Sequence, residues 1–220
     1  MTYRAYVFDV YGTLFDVYSI SEKCTHYFSD KGVRISQSWR QKQLEYCFLR
    51  QIMGTYIPFH DITKDALQYV CAVEQVYITE EIITDLLQAY LKLSPFAEVK
   101  QALEMLQSET LVVFSNGSFN MLHPLLNHSR LANYFRYVVS VDEIKQYKPS
   151  PLAYQHVCNR LNMHPKQILF LSSNAWDIAG ASHFGFQTAW INRAKTTMDL
   201  LSATPNYMVN DLQELIGQLT

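Results

Sequence analysis

Asp9 closes a short apolar run in the segment Phe8-Asp9-Val10-Tyr11-Gly12-Thr13-Leu14, and three further polar clusters share its setting. They are Ser115-Asn116-Gly117-Ser118, Lys148-Pro149 and Ser172-Ser173-Asn174-Ala175-Trp176-Asp177, each just beyond a segment that reads as a strand. A strand-end carboxylate followed by glycine is, taken alone, more often a turn or cap residue than a nucleophile. Four such clusters change that balance, because they converge on one edge of a sheet, and in open α/β folds ligands sit beyond the strands' carboxyl ends.

The elements that must hold these clusters are legible as apolar, β-branched or aromatic runs at residues 3–8, 110–114, 137–141, 168–171 and 188–191, alternating with helical patterns. That alternation predicts an α/β fold, a Rossmann-like doubly wound parallel sheet with helices on both faces, its topology limited further by right-handed crossovers. Between the first and second strands lie about ninety residues with almost no strand signal, far more than the dozen or so that a crossover requires. An inserted α-helical cap subdomain over 16–94 follows, leaving 1–15 and 95–220 as the core. Its helices are expected near 39–56, 63–76 and 79–91, the last two opened by Thr63 and Thr79 as N-caps, with Ser94-Pro95 as the return linker. The first carries two apolar stripes, Leu44, Cys47 and Phe48 on one side and Tyr46, Leu49, Met53 and Tyr56 on the other. A helix apolar on two sides is covered on two sides, so one stripe faces the cap or the cleft and the other is expected to face a second copy in a homodimer.

Five segments in register, DVYGTLFDV, SWRQKQLEY, FSNGS, QYKPSPLAY and SSNAWD, resemble the L-2-haloacid dehalogenases of the haloacid dehalogenase superfamily, and their order and spacing match over the whole chain. Phosphatases of that superfamily hold Mg²⁺, carry a second Asp two residues after the nucleophile to protonate the leaving group, and place a metal-binding carboxylate four residues before the final Asp. Here those places are taken by Tyr11 and Ser173. A hard divalent cation favours carboxylate-rich oxygen sites, and a departing halide needs no protonation, so the two departures agree. The resemblance therefore implies no metal and no cofactor. The rival reading, a Mg²⁺-dependent phosphatase or phosphonate hydrolase on the same fold, predicts metal-dependent phosphate release.

What the resemblance implies mechanistically is covalent catalysis, with Asp9 attacking the α-carbon of a short 2-haloacid from the side opposite the halogen to give an ester that water hydrolyses. Lys148 orients Asp9. Thr13 and Ser172 donate hydrogen bonds to the same region, and Tyr154 supports Lys148. The amides after Asp9, at Val10 and Tyr11, with Ser115 and Asn116, hold the substrate carboxylate. Arg40, expected at the start of the first cap helix, is the halide acceptor by position, with Asn116 and Phe59 beside it; its planar, weakly hydrated cation suits a large soft anion. Gln41 and Leu44 are expected on the same helical face, and Tyr11 and Trp176 form apolar walls. Asp177, helped by Asn174, is the candidate for activating the hydrolytic water.

Bulk properties fit such an enzyme. The 220 residues are 49% hydrophobic and 17% charged, with a formal net charge of −2 and interspersed signs, which leaves no electrostatic footprint for nucleic acid or an anionic membrane. No secretory leader or membrane-spanning run is visible, so a cytoplasmic location is expected. Cys24, Cys47, Cys71 and Cys158 are widely spaced, with no CxxC pair, and read as buried reduced thiols. His60, His123, His128 and His183 match no metal-ligand spacing.

Overall fold

The computed structural model describes residues 3–219. Its sheet contains β1 (Ala5–Phe8), β2 (Leu111–Ser115), β3 (Tyr137–Ser140), β4 (Ile168–Ser172), β5 (Gln187–Ile191) and β6 (Tyr207–Val209), all parallel, in the spatial order β3-β2-β1-β4-β5-β6. Strands β1, β2 and β4 are buried along their whole length, which is why each reads as an unbroken apolar run with no alternation. Strand order reverses about β1: the chain builds β2 and β3 on one side, then β4, β5 and β6 on the other. The crevice beyond the carboxyl ends of β1, β2 and β4 is thus the topological switch point, where ligands bind in this class of sheet. The sixth strand went unseen in the sequence because it is three residues long, with Met208 more than half exposed.

Helices α1 (Ser21–Phe28), α2 (Gly32–Met53), α3 (Phe59–Val73) and α4 (Glu80–Tyr90) lie between β1 and β2. The segments entering and leaving this helical unit meet at a neck where Phe15 bridges Pro95, the Asp16 amide donates to the Ser94 carbonyl at 2.9 Å, and the Phe96 amide donates to the Leu14 carbonyl at 3.1 Å. The remaining helices, α5 (Val99–Met105), α6 (Phe119–His128), α7 (Pro151–Leu161), α8 (Ala175–Phe184) and α9 (Leu212–Leu219), cover the sheet, with α8 against β4 and β5 and α9 against β6. None of the helices among the described residues is long and apolar enough to cross a membrane.

Three local expectations are corrected in the cap. Helix α2 begins at Gly32, so Arg40 lies more than two turns inside it and not at its start. The polar composition of the 21–38 stretch hid both α1 and this beginning; the two helices cross so closely that a Cβ on Gly32 would stand 2.3 Å from the Thr25 backbone. Helix α3 begins at Phe59 after Pro58, so Thr63 does not cap it; its hydroxyl donates to the Phe59 carbonyl one turn back, at 2.7 Å. Thr79 does cap α4, accepting from the Ile82 amide. Finally, α2 stops at Met53, capped by Gly54 in the left-handed conformation (φ +67°). Tyr56 therefore leaves the outer stripe and donates from its hydroxyl to Asp142 at 2.6 Å.

Candidate active site

Asp9 follows β1 directly and is 5% exposed. Its amide donates to the Leu171 carbonyl of β4 at 2.9 Å, which carries the strand register one residue past β1 and aims the carboxylate into the crevice. One carboxylate oxygen, Oδ2, accepts from Thr13 Oγ1 at 2.9 Å, from Asn174 Nδ2 at 2.8 Å and from Ser172 Oγ at 3.4 Å. The other, Oδ1, accepts from Lys148 Nζ at 2.8 Å. Thr13 cannot swing away: its hydroxyl also accepts from the Ser173 amide at 2.8 Å, so its single proton is left for Asp9. Asn174 approaches over Gly12, whose φ of +88° is open to glycine at little cost.

Lys148 is 1% exposed and bridges two carboxylates, since Nζ also donates to Asp177 Oδ2 at 2.6 Å. Burial pulls its ammonium down, but Asp177 and Asp9 together outweigh burial and hold it above the ordinary lysine range. Asp177 is fully buried, and burial pushes its carboxyl up to about 6; the charge of Asp9 adds to the rise, while Lys148 and the Tyr154 hydroxyl pull against it. Tyr154 donates to Asp177 Oδ1 at 2.8 Å. A buried ion pair with one cation and two anions is asymmetric in this way: the lysine gains from both partners, and the more deeply buried carboxyl is left under-compensated.

Beside Asp9 lies a cavity of about 10 Å³ lined by Asp9, Tyr11, Arg40, Leu44, Phe59, Ser115, Asn116, Asn174 and Trp176. That is far below the roughly 300–1,000 Å³ typical of pockets for drug-sized ligands and leaves room for about one water, so a ligand of even a few heavy atoms enters only as the lining side chains give way. Ser115 Oγ accepts from the Gly117 amide at 3.0 Å, and Asn116 Oδ1 accepts from the Lys148 amide at 3.0 Å, so the hydroxyl proton of one and the carboxamide NH₂ of the other remain as donors. Tyr11 is 3% exposed and packs on Phe59 and Tyr90 at ring distances of 5.4 and 5.8 Å. Burial holds its phenol far above the usual range, which suits a wall and not a proton donor or acceptor.

Arg40 is 8% exposed, and both of its hydrogen-bond partners are neutral: Nη1 donates to Gln43 Oε1 at 2.8 Å and Nη2 to the Tyr11 carbonyl at 3.2 Å. Among the described residues, no carboxylate pairs with it. A buried cation without a counter-anion is costly, and its presence at the rim of a small cavity points to an anion as ligand.

Of the sixteen residues that the sequence nominates, the structure brings most to this crevice, with one correction. Gln41 is exposed and faces a surface groove with Ser38, Lys42 and Glu45, because one residue turns a helix by about 100°. Val10 is nominated for its backbone amide and not its side chain; the side chain is fully buried, and the backbone carbonyl accepts from the amides of Thr13, Leu14 and Phe15 and so shapes the turn after the nucleophile. Asp177, Lys148, Tyr154, Thr13 and Ser172 support Asp9 without lining the cavity. Gln43 and Tyr90, buried around Arg40, were missed. The three-residue spacing from Arg40 to Gln43 would have indicated the first of them once the helix was known to start seven residues earlier.

The family model for haloacid dehalogenase-like hydrolases matches residues 3–185. The chain belongs to that family. Within the haloacid dehalogenase-like hydrolases it is 42% identical to (S)-2-haloacid dehalogenase 2 of Pseudomonas sp. (strain CBS-3), over 96% of this chain and 93% of that protein. It is 41% identical to haloacetate dehalogenase H-2 of Moraxella sp. (strain B), over 97% of this chain and 96% of that one. Its fold superposes with a TM-score of 0.94 on the L-2-haloacid dehalogenase of Xanthobacter autotrophicus with chloropropionic acid covalently bound, at 33% identity and covering 99% and 98% of the two chains.

Proposed function

We propose that this chain is an (S)-2-haloacid dehalogenase, a hydrolase that converts short-chain L-2-haloacids to D-2-hydroxyacids through an ester on Asp9, with inversion and without a metal. The observation that carries the reading is the presence in one small cavity of a carboxylate, Asp9, and a buried guanidinium, Arg40, that has only neutral partners. Relatives near 40% identity are named (S)-2-haloacid dehalogenases, and one similar structure holds chloropropionic acid covalently.

The first step places the substrate carboxylate on Ser115, Asn116 and the amides after Asp9, and the halogen toward Arg40. Of the Asp9 oxygens, Oδ1 carries one donor and Oδ2 carries three. Oδ1 is the freer lone pair for attack on the α-carbon, and the carbon–halogen bond breaks with its electrons leaving as halide. Oδ2 then becomes the ester carbonyl, where Thr13 and Asn174 are already aimed at the negative charge that builds when water adds.

In the second step Asp177 takes the proton of the attacking water, with Asn174 orienting it. Ester formation removes the Asp9 charge, which is one of the two causes raising Asp177. The base thus becomes easier to ionise at the moment it is needed.

Tyr11 and Ser173 favour this reading over a Mg²⁺-dependent phosphatase. Ser173 Oγ accepts from Arg193 Nη1 at 2.8 Å, so a protein cation already occupies the neighbourhood of that residue, and Lys148 Nζ stands between the two carboxylates. The deciding assay is halide release from L- and D-2-chloropropionate with a chelator present. Release from the L-isomer alone, unaffected by chelation and abolished by Asp9→Asn, is expected; turnover that fails on chelation rejects the proposal.

The same reading divides the chain into core 1–15 and 95–220 and cap 16–94, and places it in the cytoplasm, in keeping with four free buried cysteines. A homodimer through the cap is supported by Leu49, Ile52 and Met53 on α2 and Tyr69 and Val73 on α3, all more than 40% exposed. Sedimentation of Ile52→Asp tests it: a monomer where the unaltered chain is a dimer supports the contact, and an unaltered dimer rejects it.

A further inference from the structure

The side chain facing Arg40 from inside the cap is Gln43, which is fully buried. Its Oε1 accepts twice, from Arg40 Nη1 at 2.8 Å and from the Tyr90 hydroxyl at 3.1 Å, and its Nε2 donates to Thr63 Oγ1 at 2.6 Å. The orientation of this carboxamide is dictated from α3. Thr63 has a single hydroxyl proton and gives it to the Phe59 carbonyl at 2.7 Å, so toward Gln43 it can only accept. Nε2 must therefore face Thr63, and Oε1 must face the guanidinium. The Thr63 backbone carbonyl is fixed in turn by Trp39 Nε1 at 2.7 Å.

Gln43 is also the residue whose chemical type decides how much charge Arg40 can offer. A carboxylate of the same shape would accept the same two hydrogen bonds and would additionally pair with the guanidinium, cancelling its charge inside a low-dielectric pocket. A carboxamide gives the geometry alone.

We propose that Gln43 is a positioning residue for the departing halide, its neutral carboxamide fixing the plane of the Arg40 guanidinium while leaving the positive charge uncancelled for the leaving anion. Thr63 and Tyr90 lock that carboxamide in the orientation required. This role rests on the dehalogenase reading given above, and it makes charge at position 43, and not packing, the feature on which the ester-forming step depends.

Two variants separate the roles. Gln43→Glu keeps the shape and adds a counter-charge; Gln43→Met keeps the volume and removes the hydrogen bonds but leaves Arg40 uncancelled. Each is mixed in excess with L-2-chloropropionate and quenched in acid, and the intact mass of the chain follows the ester, with melting temperature measured in parallel. Gln43→Glu is expected to slow ester formation by about 100-fold, more than Gln43→Met does, while melting at or above the temperature of Gln43→Met. A merely structural Gln43 gives the opposite order of rates, because Glu keeps the bonds from Arg40 and Tyr90 and loses only the one to Thr63, whereas Met loses all three; ester formation in Gln43→Glu as fast as in Gln43→Met overturns the proposal. If the unaltered chain forms no ester and releases no halide, the dehalogenase reading itself falls and takes this role with it. If the unaltered chain is active and the variant order is reversed, only the role of Gln43 falls.

Discussion

Lys148 Nζ lies 2.8 Å from Asp9 Oδ1 and 2.6 Å from Asp177 Oδ2, a single buried ammonium tying the strand-end nucleophile to a second carboxylate on α8. All three side chains are at most 7% exposed. The lysine is thus both a structural and a catalytic requirement, since without it two carboxylates face each other in the interior.

Replacing it with an apolar residue of similar length, Lys148→Met, is expected to cost about 3–5 kcal/mol of stability, the usual consequence of leaving a buried charge unpaired. Urea unfolding measures it. Activity should be lost as well, because Oδ1 of Asp9 loses its one charged donor.

The pH dependence follows from Asp177. The unfolded chain releases this proton near 3.8 and the folded chain near about 6, so between those values the folded state holds the extra proton. The group's contribution to stability therefore falls as pH rises through that window, the reverse of a salt-bridged surface carboxylate. Catalysis needs the ionised form, and in the ester state the Asp9 charge that helps raise Asp177 is gone, so the rate should fall along an acid limb lying below about 6. Tyr154→Phe removes a hydrogen bond that favours the ionised carboxyl, and the acid limb of the rate profile should move to higher pH; a limb that stays put or moves down contradicts the assignment of Asp177 as base.

Arg40 should show function and stability pulling apart. Its charge is buried against neutral acceptors only, so Arg40→Met is expected to leave the melting temperature unchanged or raise it, while halide release falls by about 100- to 1,000-fold. Thermal unfolding and a halide assay on one preparation decide it. Equal loss of both would mean that Arg40 is held for packing.

Much of this was readable from residues because strand ends are unambiguous. Asp9, Ser115 and Ser172 end or directly follow a buried apolar strand, Asp177 lies in the first turn of the helix after β4, and Lys148 lies in the segment after β3; a parallel sheet brings all its carboxyl ends to one edge. The cap was harder. Helix α2 has a polar start that carried no period to read and two apolar stripes further along, so the phase of Arg40, Gln41 and Gln43 around the axis stayed open. Only two positions separate the exposed Gln41 from the buried Gln43. Thr63 failed for a related reason: threonine before a helical stretch looks like a cap, and only the packing of Phe59 over the cavity shows that the helix has already begun.

The most direct measurement is the origin of the oxygen in the first product molecule. With enzyme in excess over L-2-chloropropionate in water enriched in ¹⁸O, Asp9 should donate its own unlabelled oxygen, so the 2-hydroxyacid of the first cycle is light and the label is found in the Asp9 side chain. A first-cycle product already carrying solvent oxygen would mean that water attacks the α-carbon directly, and the ester mechanism would be wrong.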